Sequence, residues 1–124
     1  MSEIKIKDFT DLIAWQKSHK LVLTTYEVVK TFPNIEKFAL SNQMTRAGIS
    51  ITSNIAEGFG RNTARDKAQF YSIAKGSTLE LRSQMYIARD LGYITMETFS
   101  RFERDAHEVI RLISGIIHSA QDRE

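Results

Sequence analysis

Lys75, Arg82 and Arg89 recur every seven residues, with Tyr71 and Tyr86 beside them. On a helix a seven-residue step returns to within about 20° of the same direction, so the three cations share an arc of about 40°. Basic side chains about 10 Å apart along an axis can track a phosphate backbone, and tyrosine rings can stack on unpaired bases. The bland alternative is a solvated face whose tyrosines close a bundle. Residues 63–92 carry five Lys or Arg against three acids, and residues 93–124 carry four against six, so an anion-binding face is expected in the third quarter of the chain.

A second group lies upstream. Wound as a helix, the run from Gln43 to Arg61 places Gln43, Arg46, Ser50, Ser53, Asn54 and Glu57 in one polar arc. Leu40, Met44, Ile51, Ile55 and Phe59 share an apolar arc. Glu80 falls between Ile73 and Ile87 on an apolar stripe, where a carboxylate is costly to bury without a partner such as Arg46 or Asn54. The structural reading makes Arg46, Asn54, Glu57 and Glu80 a buried network that fixes helix register or a subunit interface. The catalytic reading would pair Glu57 with Glu80 as acid and base, but no nucleophile, metal set or phosphate cradle accompanies them.

No other constellation carries chemistry. His107 and His118 are eleven residues apart, and His19 sits in a core-facing series as a packed, hydrogen-bonded residue, so no metal and no cofactor are expected. Gly58-Phe59-Gly60-Arg61 lacks the preceding strand and the Gly-Lys-Ser/Thr ending of a phosphate loop and reads as a helix stop. Glu97 with Arg101, Arg101 with Asp105, and Arg104 with Glu108 stand at four-residue spacing, the pattern of an exposed salt-bridged face without function.

Composition bounds these readings. The 124 residues with 42% hydrophobic content suit one domain with a single core, and the absence of cysteine excludes a disulfide scaffold or a thiolate site. The net charge of +2 is too modest for a chain whose whole surface meets phosphate. Met1 to Lys7 has no signal-like apolar core and no stretch has the length of a membrane span, so a cytoplasmic location and no membrane contact are expected.

The elements that hold these residues read as four helices, near residues 10–32, 38–59, 63–91 and 95–119, in an all-α, antiparallel up-down-up-down four-helix bundle. Phe32-Pro33 ends the first, Gly58 to Gly60 the second and Gly92 the third, with glycine suited to a left-handed turn, while Thr63 with Asp66 and Thr95 supply caps. The first helix carries Leu12, Trp15, His19, Val22, Tyr26 and Val29 toward the core, leaving Ala14, Leu21 and Val28 as a second stripe that favours association. The third carries the series Phe70, Ala74, Ser77, Leu81, Gln84, Ala88 and Leu91, the fourth Phe99, Phe102, Ala106, Val109, Ile113, Ile116 and Ala120. Gln121 to Glu124 are expected to fray.

Asp11-Leu12, Trp15-Gln16-Lys17, Phe32-Pro33, Arg46-Ala47, Ser53-Asn54-Ile55-Ala56-Glu57-Gly58, Gly60-Arg61, Gly76-Ser77, Glu80 and Leu91-Gly92-Tyr93 together form a distinctive set. With them the chain resembles the four-helix-bundle family encoded in intervening sequences of bacterial 23S ribosomal RNA genes. It departs at Thr45, where relatives often carry a basic residue, at Gly48, where alanine is frequent, and at Thr52, where proline is common. The resemblance implies a four-helix protomer and a ring-like homopentamer. A related accessory protein of diversity-generating retroelements binds nucleic acid and a reverse transcriptase. The expectation is therefore a non-enzymatic, homo-oligomeric scaffold associated with RNA or DNA, in which a ring would repeat the Lys75, Arg82 and Arg89 row. The alternative is a protein-interaction ring that recruits an enzyme such as a reverse transcriptase without touching nucleic acid itself.

Overall fold

A computed structural model describes residues 5–122, so residues 1–4 of the amino-terminal segment and residues 123–124 of the carboxyl terminus lie outside the described residues. A short 3-10 turn, Phe9–Asp11, precedes four helices: α1 Ile13–Val29, α2 Leu40–Phe59, α3 Ala64–Asp90 and α4 Met96–Gln121. Each boundary has a local cause. Asp8 and Asp11 cap the opening turn reciprocally, and the Thr10 hydroxyl bonded to Asp8 holds that carboxyl below its ordinary value. The Thr63 hydroxyl accepts the Asp66 N–H at 3.1 Å and the Thr95 hydroxyl the Thr98 N–H at 3.1 Å, satisfying amides that open α3 and α4.

Gly92, at φ +77°, ends α3 in the left-handed region, and the Tyr93 N–H returns to the Ala88 carbonyl at 2.9 Å. The left-handed turn expected after α2 does not form, because Gly60 has φ −79°. Gly58 serves a different need: a Cβ there would stand 2.7 Å from the Tyr71 ring, so the missing side chain lets α2 and α3 approach. Helix α4 continues through Gln121, two residues past its expected end, and the charged tail beyond falls largely outside the described residues.

The four helices form an all-α bundle whose consecutive members are neighbours, with α4 packed back against α1. Ser50 meets Ser77 and Gly58 meets Tyr71, so α2 and α3 run antiparallel. Arg82 meets Glu103 and Tyr86 meets Phe99, so α3 and α4 do too. Leu12, Phe59, Tyr71 and Ala120 line one cleft at one end, which fixes the up-down-up-down order.

The core contains Leu21, Met44, Ile51, Ile55, Leu81, Met85, Phe102 and Ile113, each with almost no exposed surface. The expected series on α3 and α4 supply much of it. On α1 the expected core face is inward only in part: Val22 is buried, and Leu12, Trp15 and Val29 are half-buried against the core. Ala14, Ser18, Leu21, Thr25 and Val28 point inward, whereas His19, Leu23 and Tyr26 are exposed. His19 is not a core residue; its ring stacks on Trp15 at 4.7 Å and 14°. The small Ala14, Ser18 and Thr25 let α1 lie close to its neighbours, and the bulkier His19 and Tyr26 are left outside with Trp15 at the edge of the core.

Candidate nucleic-acid and assembly surfaces

The row expected to meet phosphate lies along the α3/α4 seam. Arg82 donates from Nε and Nη2 to both carboxylate oxygens of Glu103, at 3.0 and 2.9 Å. The pair is mostly buried, with side chains 22% and 15% exposed. The Arg82 hydrogen bonds hold Glu103 below the usual carboxylate range, His107 adding a contact at 3.4 Å, and Glu103 in turn raises Arg82. Arg89 bonds Asp90 at 2.8 Å and lies over the rings of Tyr86 and Phe99, 4.7 and 4.8 Å from their centroids. Tyr86 is partly exposed, its ring edge-on to Phe99 at 4.9 Å. Tyr71 is 4% exposed and belongs to the core, which withdraws its ring from any base. Lys75 is half-buried and makes no ion pair among the described residues. The row is therefore brought together along one seam, but two of its three cations are already committed to carboxylates.

The polar group on α2 is divided rather than gathered. Asn54 donates to the Ser50 carbonyl and hydroxyl at 2.8 and 3.0 Å, and the Ser50 and Ser77 hydroxyls meet at 2.8 Å across α2/α3. Glu57 pairs with Arg61 at 3.1 Å on the surface, and that guanidinium covers the Phe70 ring at 4.4 Å. Arg46 is exposed without an ion pair among the described residues. Glu80 is exposed too, accepting from Gln84 at 3.4 Å. The expected buried network of Arg46, Asn54, Glu57 and Glu80 thus does not form within the protomer. Its premise fails because Ile73 and Ile87 are each 47% exposed: the stripe that holds Glu80 points out of the bundle. Instead Ser50, held by Asn54, joins α2 to α3 through the Ser77 hydroxyl, and Gly58 does so by its close approach to Tyr71.

Outward apolar residues are unevenly shared. Among the described residues Ile13, Leu23 and Tyr26 on α1 and Ile73, Leu79, Tyr86 and Ile87 on α3 are exposed, whereas α2 and α4 carry one such residue each, Ile49 and Met96. Ile35 and Phe38 project from the α1–α2 connection at 82% and 85% exposure. That connection is pinned by the Tyr93 hydroxyl, which donates to Glu36 at 2.7 Å, and by Tyr93 against Phe32. On α4, Glu97 pairs with Arg101 as expected, but Glu108 pairs with Lys17 rather than Arg104. A cleft of 410 Å³ between α1 and α4 is lined by Val28, Ile94 and Phe102 together with Thr24, Thr31 and Thr98. No helix is long and apolar enough to cross a membrane, and no three His, Asp or Glu converge, among the described residues.

The comparison that decides kinship covers residues 10–115, which match the model of the 23S rRNA-intervening sequence proteins. The chain belongs to that family. Among solved structures it is similar to a protein of unknown function from the S23 ribosomal protein family of Bacteroides thetaiotaomicron VPI-5482, with TM-score 0.79 and 26% identity over 86% of this chain and 96% of that one. No curated protein matches. For a 23S rRNA-intervening sequence protein the helical bundle is thus shared with a solved relative of unknown function. The residues carrying the resemblance serve the fold: Gly58 and Ser77 join α2 to α3, and Leu91-Gly92-Tyr93 makes the turn between α3 and α4.

Proposed function

We propose that this intervening-sequence protein is a non-enzymatic, homo-oligomeric scaffold associated with nucleic acid, ribosomal RNA being the class that the family's description suggests. The observation that carries the assembly is the uneven distribution of exposed apolar residues. One patch lies on α1 and α2, with Leu23, Tyr26 and Ile49, and a different one on α3, with Ile73, Leu79 and Ile87. Two unlike patches suit a head-to-tail contact, which closes into a ring when its rotation divides a full turn. Arg46 and Glu80, both exposed and without an ion pair among the described residues, supply opposite charges to such a contact. Five copies is the number the resemblance implies.

Sedimentation of charge variants tests this arrangement. Arg46→Glu and Glu80→Arg should each weaken assembly, and the double variant should recover part of the loss. Unchanged sedimentation of both single variants removes these residues from the contact.

The second reading, a ring that recruits an enzyme without touching nucleic acid, is favoured by Ile35 and Phe38, which offer two apolar side chains on a pinned connection. Capture of a protein partner after nuclease treatment, lost on Phe38→Ser, would support it.

A further inference from the structure

Among the described residues helix α4 has one large exposed apolar residue, Met96 at its start, and its outward charges fall into order. Arg104, His107, Arg111 and His118 stand at steps of three, four and seven, which places all four exposed side chains within an arc of about 60°. Arg104 and Arg111 make no ion pair among the described residues. The carboxylates nearest Arg104 and Arg111 along that face are occupied, Glu97 by Arg101 at 3.0 Å and Glu108 by Lys17 at 3.5 Å, as is Glu103 by Arg82 at 2.9 Å with His107 at 3.4 Å, while Asp122 stands beyond His118 at the end of the stripe. Asp105 points about 100° away from Arg104 around the helix. The intervening surface is Ser100, Ser114 and Gly115, and a Cβ at Gly115 would meet nothing within 4 Å.

We propose that this α4 stripe is a phosphate-backbone contact for nucleic acid, with Arg104 and Arg111 as its principal cations. The inference rests on the nucleic-acid reading above and moves the contact from α3 to α4. Two guanidiniums about 10 Å apart, on a helix whose small neighbours leave room for close approach, read charge and spacing. Helix-face recognition of a peptide relies on apolar anchors, and α4 lacks them beyond Met96 at its start. Lys17 contributes indirectly, because its hold on Glu108 keeps that carboxylate from neutralising Arg104. In a cyclic assembly every protomer repeats the stripe, which multiplies a weak contact.

Fluorescence anisotropy of a labelled single-stranded RNA and a duplex DNA, across a salt series, tests the assignment. The unaltered protein should bind with an affinity that falls steeply with salt. Arg104→Gln/Arg111→Gln, which preserves helix propensity, should lose about tenfold or more, with the slope shallower by about 0.7 to 0.9 per lost contact. Lys75→Gln should change binding less than twofold. Equal binding by the α4 variant and the unaltered protein, with helical content matched by circular dichroism, overturns the surface and leaves the nucleic-acid reading standing. No binding by the unaltered protein at about 50 mM salt overturns both.

Discussion

Arg82 and Glu103 form a two-pronged ion pair between α3 and α4, with both guanidinium-to-carboxylate distances at or below 3.0 Å and little of either side chain exposed. The relationship changes what the basic row on α3 can do. A guanidinium that satisfies a carboxylate on two atoms must break that contact before it can hold phosphate. The pair instead fixes the register of α3 against α4.

Replacing Arg82 with Met should lower stability by about 1–3 kcal/mol, since Glu103 would keep its burial but lose its partner. The effect depends on pH. Glu103 is held below its ordinary value of 4.5 when folded, so the pair's contribution is fully present above that pH. It is lost as pH falls through the lowered folded value. Thermal melts should therefore separate the variant from the unaltered protein at neutral pH and converge in acid. A gap that persists undiminished to pH about 2 would contradict the assignment.

Two glycines on α2 should respond oppositely to alanine. At Gly48 a Cβ would meet Val22 at 3.6 Å, an ordinary contact, so Gly48→Ala should stabilise by about 0.5–1 kcal/mol through helix propensity. At Gly58 the Cβ would stand 2.7 and 2.8 Å from the Tyr71 ring and 3.1 Å from Phe70, so Gly58→Ala should destabilise by about 1–3 kcal/mol. Denaturant unfolding of both variants checks the pair, and a loss of stability at Gly48 would count against the α1/α2 packing described.

Ser18 is fully buried on α1, and its hydroxyl has no hydrogen-bond partner among the described residues. Removing an unsatisfied hydroxyl removes a desolvation cost, so Ser18→Ala should leave stability equal or higher by up to about 1 kcal/mol. A marked fall in melting temperature would mean that the hydroxyl has a partner.

The helices were legible because their ends are written in local chemistry: Thr63 and Thr95 cap, Pro33 and Gly92 stop. Which face turns inward was legible only where one apolar stripe dominates, as in Phe99, Phe102, Ala106 and Val109 on α4. Helix α1 has two stripes, and apolar bulk favours the one bearing Trp15 and Tyr26. Close packing selected the one with Ala14, Ser18 and Thr25. The same difficulty hid the orientation of Glu80, because an apolar stripe that points out of the bundle and one that faces the core have the same period. Arg104, which makes no ion pair among the described residues, was masked by an expected Arg104–Glu108 pair. Only the packing of α1 against α4 shows that Lys17 takes that carboxylate.

The size of the assembly in solution tests the central claim most directly. Light scattering on the eluting protein should give a mass several times the 14.2 kDa protomer, five times for the expected ring. Ile73→Lys/Ile87→Lys should reduce it to the protomer mass with the helices intact. A single 14.2 kDa species for the unaltered protein at micromolar concentration would contradict the scaffold account.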